Sequence, residues 1–81
     1  MTTYKVYSQT CQPCKVAALV MAENKRDYEP IDFDDEDNID FLEKYNVMGV
    51  PTVLVVDHDG KLINRANGLD QIRNKVEGGE I

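Results

Sequence analysis

Apolar residues alternate in some stretches of the chain and recur every three or four positions in others. The changes of period mark the elements. Tyr4-Lys-Val-Tyr7 is short, aromatic and β-branched, the pattern of a strand. Ser8 to Gln12 is a polar loop. Pro13 suits the first turn of a helix, where a missing N–H costs nothing, and good helix formers continue to Asn24. Val16, Leu19, Val20 and Met21, with alanines between them, make this helix apolar on most sides, so it should be largely buried. Tyr28 to Asp34 reads as a second strand with Ile31 and Phe33 on one face. One helix between two strands is a βαβ unit and implies parallel pairing.

Asp35 to Asn38 is an acidic turn. A second helix is expected from Asn38 to Tyr45, with Ile39, Leu42 and Tyr45 on one face and Asp37 or Asn38 as its cap. Met48-Gly-Val-Pro51 breaks the pattern. Thr52-Val-Leu-Val-Val-Asp57 is apolar almost throughout, as in a strand covered on both faces. Asp59-Gly60 signals a two-residue hairpin, from which Lys61 to Arg65 returns antiparallel. Gly68 ends that strand. Leu69 to Val76 forms a last helix with Leu69, Ile72 and Val76 on one face, and residues 78–81 should fray. The order β-α-β-α-β-β-α fills the whole chain without repeat or linker.

Composition narrows what this fold can do. The 81 residues make one domain, and 42% are hydrophobic, enough for one core. The net charge of -6 and the lack of a basic cluster argue against nucleic acid as a partner. The longest apolar run, Val16 to Ala22, is far shorter than the roughly 20 residues of a membrane span. Met1-Thr-Thr-Tyr-Lys5 has neither the basic region nor the apolar stretch of a secretory signal, which predicts a cytoplasmic protein.

The candidate chemistry lies in Cys11-Gln-Pro-Cys14. It follows a strand and opens a helix inside a βαβ unit, a context that points to thiol–disulfide exchange. The first helical turn offers unpaired N–H groups and the positive end of the macrodipole. A thiolate at Cys11 is favoured there, and the thiolate is the attacking species. Cys14 is one turn further in and more buried, which suits the resolving role. Two other readings stay open. The pair could be half of a zinc site, although His58 is the only soft ligand left, or two cysteines with no chemistry. Asp32 to Glu43 imitates a calcium loop, but Asp37 stands where such a loop needs Gly, and no helix leads into it. Tyr7 is either a core residue or part of the thiol site.

Strand, CxxC and helix, then Tyr45-Asn-Val-Met-Gly-Val-Pro-Thr52 before an apolar strand, then Asp-Gly and Gly68, resemble the thioredoxin superfamily over nearly the whole chain. The Gly-Val-Pro-Thr segment resembles thioredoxins proper. The short first strand is more similar to glutaredoxins and to the small redoxins that serve ribonucleotide reductase. The resemblance implies a four-stranded mixed sheet with helices on both faces and a redox-active Cys11–Cys14 disulfide. It implies no metal and no other cofactor. Pro51 falls where the family carries a cis-proline, and X-Pro bonds adopt cis at a cost of only about 0.5–1 kcal/mol. Val50 and Pro51 would then position the substrate backbone. Val50, through its backbone, and Asp70, near the Gly68 turn, lie where glutathione would be held if the protein were a glutaredoxin.

The sequence also departs from these families. Thr10 stands where thioredoxins have Trp before the first cysteine, and the strand before the motif offers Lys5 where they carry a buried acid. Gln12-Pro13 replaces the aromatic that glutaredoxins place between the cysteines, and Gln9 stands where Lys is common. Lys15 is the nearest base in sequence; Lys5 and Arg65 are those the fold could bring close. The expected function is reduction of protein disulfides in the cytosol by a monomer that a thioredoxin reductase recharges, with ribonucleotide reductase as one candidate substrate. The alternatives are a glutathione-dependent glutaredoxin and, from another class, a zinc- or calcium-binding interaction module.

Overall fold

In the computed structural model, which describes residues 1–81, β1 spans Thr2–Tyr7 and lies inside a four-stranded sheet. It starts two residues before the apolar pattern does, because Thr2 and Thr3 pair with Val56 and Val55 of β3 (Thr52–Val56). On its other side β1 runs parallel to β2 (Glu29–Asp32), with Lys5 opposite Pro30 and Tyr7 opposite Asp32. β4 (Leu62–Asn67) pairs antiparallel with β3 and closes the order β2-β1-β3-β4. The sheet is mixed, as expected, and β2 is shorter than its sequence signal.

Side chains alternate across this sheet and feed two cores. α1 (Gln12–Glu23) and α3 (Leu69–Glu77) cover one face, burying Ala17, Val20, Met21, Ile72 and Val76 over Val53 and Ala66. The short helix α2 (Ile39–Lys44) covers the other, where Leu42, Tyr45 and Val47 meet Val6, Leu54 and Val56. Tyr4, Phe41 and Tyr45 stack edge to face beside them, with successive centroids 5.0 Å apart.

Several expectations need correction. α1 is not buried on most sides: only a stripe through Cys14, Ala17, Val20 and Met21 meets the sheet, and Leu19 on the outer face is 60% exposed. No further layer lies above α1 to cover it. Ile39 is also exposed, because a 3₁₀ turn over Glu36–Asn38 precedes α2 and Phe41 takes the inward place. Asn38 occupies the N-cap of α2, but its side chain makes no capping bond there. Asp35 caps the 3₁₀ turn by accepting the Asp37 N–H at 3.0 Å, and the Asn38 amide donates to the Asp32 carbonyl at 3.0 Å.

The hairpin is wider than two residues. Asp57 Oδ1 accepts the N–H groups of Asp59 and Lys61, each at 2.9 Å, and the β3–β4 register shifts between Val55 and Val56. Gly60, at φ 86°, supplies the backbone conformation that this turn requires. β4 runs two residues past Arg65, and Gly68 turns the chain into α3. The tail makes contacts with the body of the fold. Glu80 N–H donates to the Lys75 carbonyl at 2.8 Å, Arg26 donates to the Ile81 carbonyl at 2.7 Å, and the Ile81 side chain packs on the α1/α3 core. No helix is long and apolar enough to cross a membrane.

Candidate active site

Val6 of β1 lies in register with Thr52 of β3, and Thr52 with Asn67 of β4. The strands on either side of β3 run against it. The loop leaving β1, the loop entering β3 and the turn leaving β4 therefore gather at one end of the sheet. The sequence places Cys11-Gln-Pro-Cys14, Val50-Pro51 and Gly68 on those three segments.

Cys11 occupies the N-cap of α1, and Pro13 sits in the first turn, where its missing N–H leaves no bond unmade. The Cys11 N–H donates to the Ser8 carbonyl at 3.2 Å, which closes the loop after β1. Cys11 Sγ accepts the Cys14 N–H at 3.1 Å. It thus does for the helix start what a Ser or Asp side chain does in ordinary caps. The same N–H favours a negative sulfur there once the pair is reduced. The two cysteines form a disulfide with their Cα atoms 5.3 Å apart. Their environments differ: Cys11 is part-exposed, whereas Cys14 is only 3% exposed. Gln12 and Pro13 lie on the exposed outer side of the turn.

The Val50–Pro51 peptide is cis. The Pro51 carbonyl accepts the Gly68 N–H at 2.8 Å, tying the two loops together, and Thr52 Oγ1 donates to the Gly49 carbonyl at 2.8 Å. Beside Pro51 lies the largest cleft of the molecule, about 550 Å³, whose walls include Met48, Val50, Arg65, Asn67 and Gly68. Neither cysteine lines it. Cys14 opens instead onto a cleft of about 280 Å³ shared with Lys5, Tyr7, Ser8 and Gln9. The volume of the larger cleft says nothing about where the redox chemistry sits. The disulfide marks that, and the larger cleft lies at the same end of the sheet.

Of the residues singled out in the sequence, the fold brings Tyr7 to the cysteine cleft, and Val50, Pro51 and Gly68 to the neighbouring one. Asp70 is exposed in the first turn of α3 and lines neither. Arg65 lies in the Pro51 cleft, away from the cysteines, and its guanidinium donates to the Tyr45 carbonyl at 2.7 Å and to Asn67 Oδ1 at 3.0 Å. Sequence reasoning missed Asn67 and undervalued Lys5. Lys5 is the one charged side chain in the interior, 5% exposed, and burial holds its pKa below the usual 10.5. The signal was available: a Lys between Tyr4 and Val6 in a central strand has no solvent side to turn to. His58 is exposed in the hairpin, and no three His, Cys, Asp or Glu side chains converge into a ligand set.

A family model of the thioredoxin domain matches residues 2–75. Thioredoxin of Staphylococcus aureus is 35% identical over 71 residues, spanning 83% of this chain and 67% of that protein. Among solved structures, the germline-specific thioredoxin Deadhead of Drosophila melanogaster superposes with a TM-score of 0.73 at 19% identity, over 99% of this chain and 79% of its own. A glutaredoxin of Brucella melitensis superposes with a TM-score of 0.67 at 13% identity, over 99% and 83%. Likeness at that level shows the fold, which thioredoxins and glutaredoxins share. The profile, the curated relative and the Cys11–Cys14 disulfide at the head of α1 agree on more than the fold: the chain belongs to the thioredoxin family and is a dithiol–disulfide oxidoreductase.

Proposed function

We propose that the protein reduces disulfides in other proteins, with Cys11 as nucleophile and Cys14 as resolving thiol. The observation that carries this assignment is the asymmetry of the pair. Cys11 faces outward on an N-cap whose N–H favours thiolate, whereas Cys14 is buried below it. The Cys11 thiolate attacks one sulfur of a substrate disulfide, and the other sulfur leaves as a thiolate that takes up a proton. Cys14 then loses its proton and attacks Cys11 Sγ. The second substrate thiolate departs, and the Cys11–Cys14 disulfide remains. Two electrons have passed to the substrate. No cofactor beyond the disulfide takes part. The exposed edge formed by Met48, Gly49 and Val50 offers backbone groups to an extended substrate segment, a contact that needs no particular side chain.

The electron donor is a thioredoxin reductase rather than glutathione. Glutathione is anionic, and this chain carries -6. Arg65 is engaged by protein acceptors, and Lys5 points into the sheet interior, so neither presents a free cation at Cys11. The protein works as a cytoplasmic monomer, and ribonucleotide reductase is one substrate to assay. Cys14→Ser should accumulate a mixed disulfide with substrate, and Cys11→Ser should neither trap nor reduce it. Equal trapping by both variants would refute the roles. Oxidised protein mixed with NADPH and thioredoxin reductase should turn over quickly; rapid turnover with glutathione alone would make it a glutaredoxin.

A further inference from the structure

Resolution of the mixed disulfide requires Cys14 to give up a proton, yet Cys14 is buried and the sheet beside it carries no buried carboxylate. What the sheet does carry is Lys5. Its strand partners are Pro30 and Val53, and Val53 belongs to the core beneath α1, so Lys5 faces the helix that holds Cys14. Both residues line the cleft of about 280 Å³, together with Tyr7, Ser8, Gln9, Lys15 and Ala18. The Lys5 Nζ lies 5.0 Å from the Tyr28 ring centroid and 5.7 Å from that of Tyr7. It donates to no side chain or carbonyl and joins no ion pair; the one ion pair of the chain is His58–Asp59. No buried side-chain nitrogen or oxygen lacks a hydrogen-bond partner, so the ammonium tip reaches the solvent of the cleft, while the burial around it still disfavours its charge.

We infer that the ε-amino group of Lys5 is the proton carrier for the resolving thiol Cys14. As the neutral amine it takes the Cys14 proton, giving an ammonium and a thiolate, and that thiolate attacks Cys11 Sγ. When a reductase opens the disulfide again, Cys14 leaves as a thiolate and recovers the proton from the Lys5 ammonium. Protons balance over the cycle, and no other reactant is needed. Burial supports the role, because it lowers the Lys5 pKa and brings the neutral amine closer to working pH.

Few titratable groups face Lys5. β1 contributes Tyr7, the α1–β2 connection Tyr28, and α1 Cys14 and the exposed Lys15. β2 contributes Asp32, opposite Tyr7, whose Oδ1 accepts the Asp34 N–H at 3.0 Å and which does not pair with Lys5. β3 contributes Val53, and α3 contributes Ile72 and Val76, all apolar.

The inference rests on Cys14 being the resolving thiol, and one experiment separates the two claims. Reduced protein is mixed with dithiobis(nitrobenzoate) in a stopped-flow instrument across a pH series. Attack by Cys11 releases a first nitrothiobenzoate and resolution by Cys14 a second. Cys14→Ser should lose only the second release; loss of only the second release in Cys11→Ser would overturn the cysteine roles whatever Lys5 does. Lys5→Met should slow the second release about 100-fold at neutral pH and move its pH profile upward, leaving the first within about twofold. Lys5→Arg keeps the charge but cannot give up a proton, so it should behave like Lys5→Met. A second release in either variant with the wild-type rate and pH profile would overturn the inference. A measurement on the unmutated protein guards against variants that do not fold. The Lys5 Cε resonance, followed against pH, should titrate differently in the dithiol and disulfide states, and identical curves would overturn the inference as well.

Discussion

Lys5 and Val6 are neighbours in the chain and face opposite sides of the same sheet. Val6 enters a core of Leu42, Tyr45, Val47, Leu54 and Val56 beneath α2, which holds no charge; the buried hydroxyls on that face, of Tyr45 and Thr52, donate to the Gly60 and Gly49 carbonyls, each at 2.8 Å. Lys5 enters the side covered by α1 and α3, where an unpaired ammonium and a redox-active sulfur share a cleft. The first side satisfies every group it buries. The second holds a largely buried lysine beside the cysteines, its ammonium bonded to no protein acceptor and opening on their cleft. The contrast assigns stability to the α2 side and chemistry to the α1 side, and it predicts that substitutions on the two sides separate folding from redox turnover.

The largest effect should come from the α2 side. Leu54→Ala opens a cavity among fully buried neighbours and should cost about 2–5 kcal/mol in urea unfolding. That approaches the ~3–5 kcal/mol that a core of this size supplies, so much of the protein should be unfolded. The fraction that stays folded should exchange disulfides at the wild-type rate. If that rate falls with stability, the two sides are not separable.

Lys5→Met should act in the opposite sense and gain stability, because it removes a charge that burial disfavours. The gain depends on pH with a definite sign. The folded-state pKa of Lys5 lies below the unfolded value of 10.5. Between the two values the unfolded chain holds a proton that the folded chain has released, so wild-type stability climbs with pH. The advantage of the variant should be full below the lowered folded-state pKa and shrink as pH rises through that window towards 10.5. An advantage that is constant with pH would mean that Lys5 carries no desolvation penalty. Tyr45→Phe should cost about 1 kcal/mol by stripping the Gly60 carbonyl of its donor, with no change in redox turnover. Leu19→Gln, on the uncovered side of α1, should change stability by less than about 0.5 kcal/mol. A larger loss would show that a partner covers that side in solution.

Much of this arrangement could be read before the fold was known. Cys11 and Cys14 were legible because their spacing and their place between a strand and a helix are local facts. The same holds for Pro51 ahead of an apolar strand. Leu19 and Ile39 were misjudged because periodicity counts apolar residues on a helix face but does not say whether another layer covers it. The Asp59-Gly60 turn was read too tight, because Asp57 Oδ1 competes for the loop N–H groups and a shift at Val55/Val56 re-registers the strands. Residues 78–81 were expected to fray because Gly78-Gly79 carries no pattern; beyond local bonds to Asn74, Lys75 and Val76, they are held by Arg26 and Asn64, which lie far back in the chain.

The sequence by itself determined the order of elements, the redox pair and the helix start that activates it, since these depend on residues within a few positions of each other. The tertiary structure alone decided that Asp70 stands outside both clefts and that Arg65 is engaged by Tyr45 and Asn67. It also decided that the inward face of β1 delivers Lys5 to Cys14. Strand pairing is the physical reason. Whether an alternating position turns towards α1 or α2 depends on which neighbours the strand pairs with and in what register, and those neighbours, β2 and β3, come from distant parts of the chain.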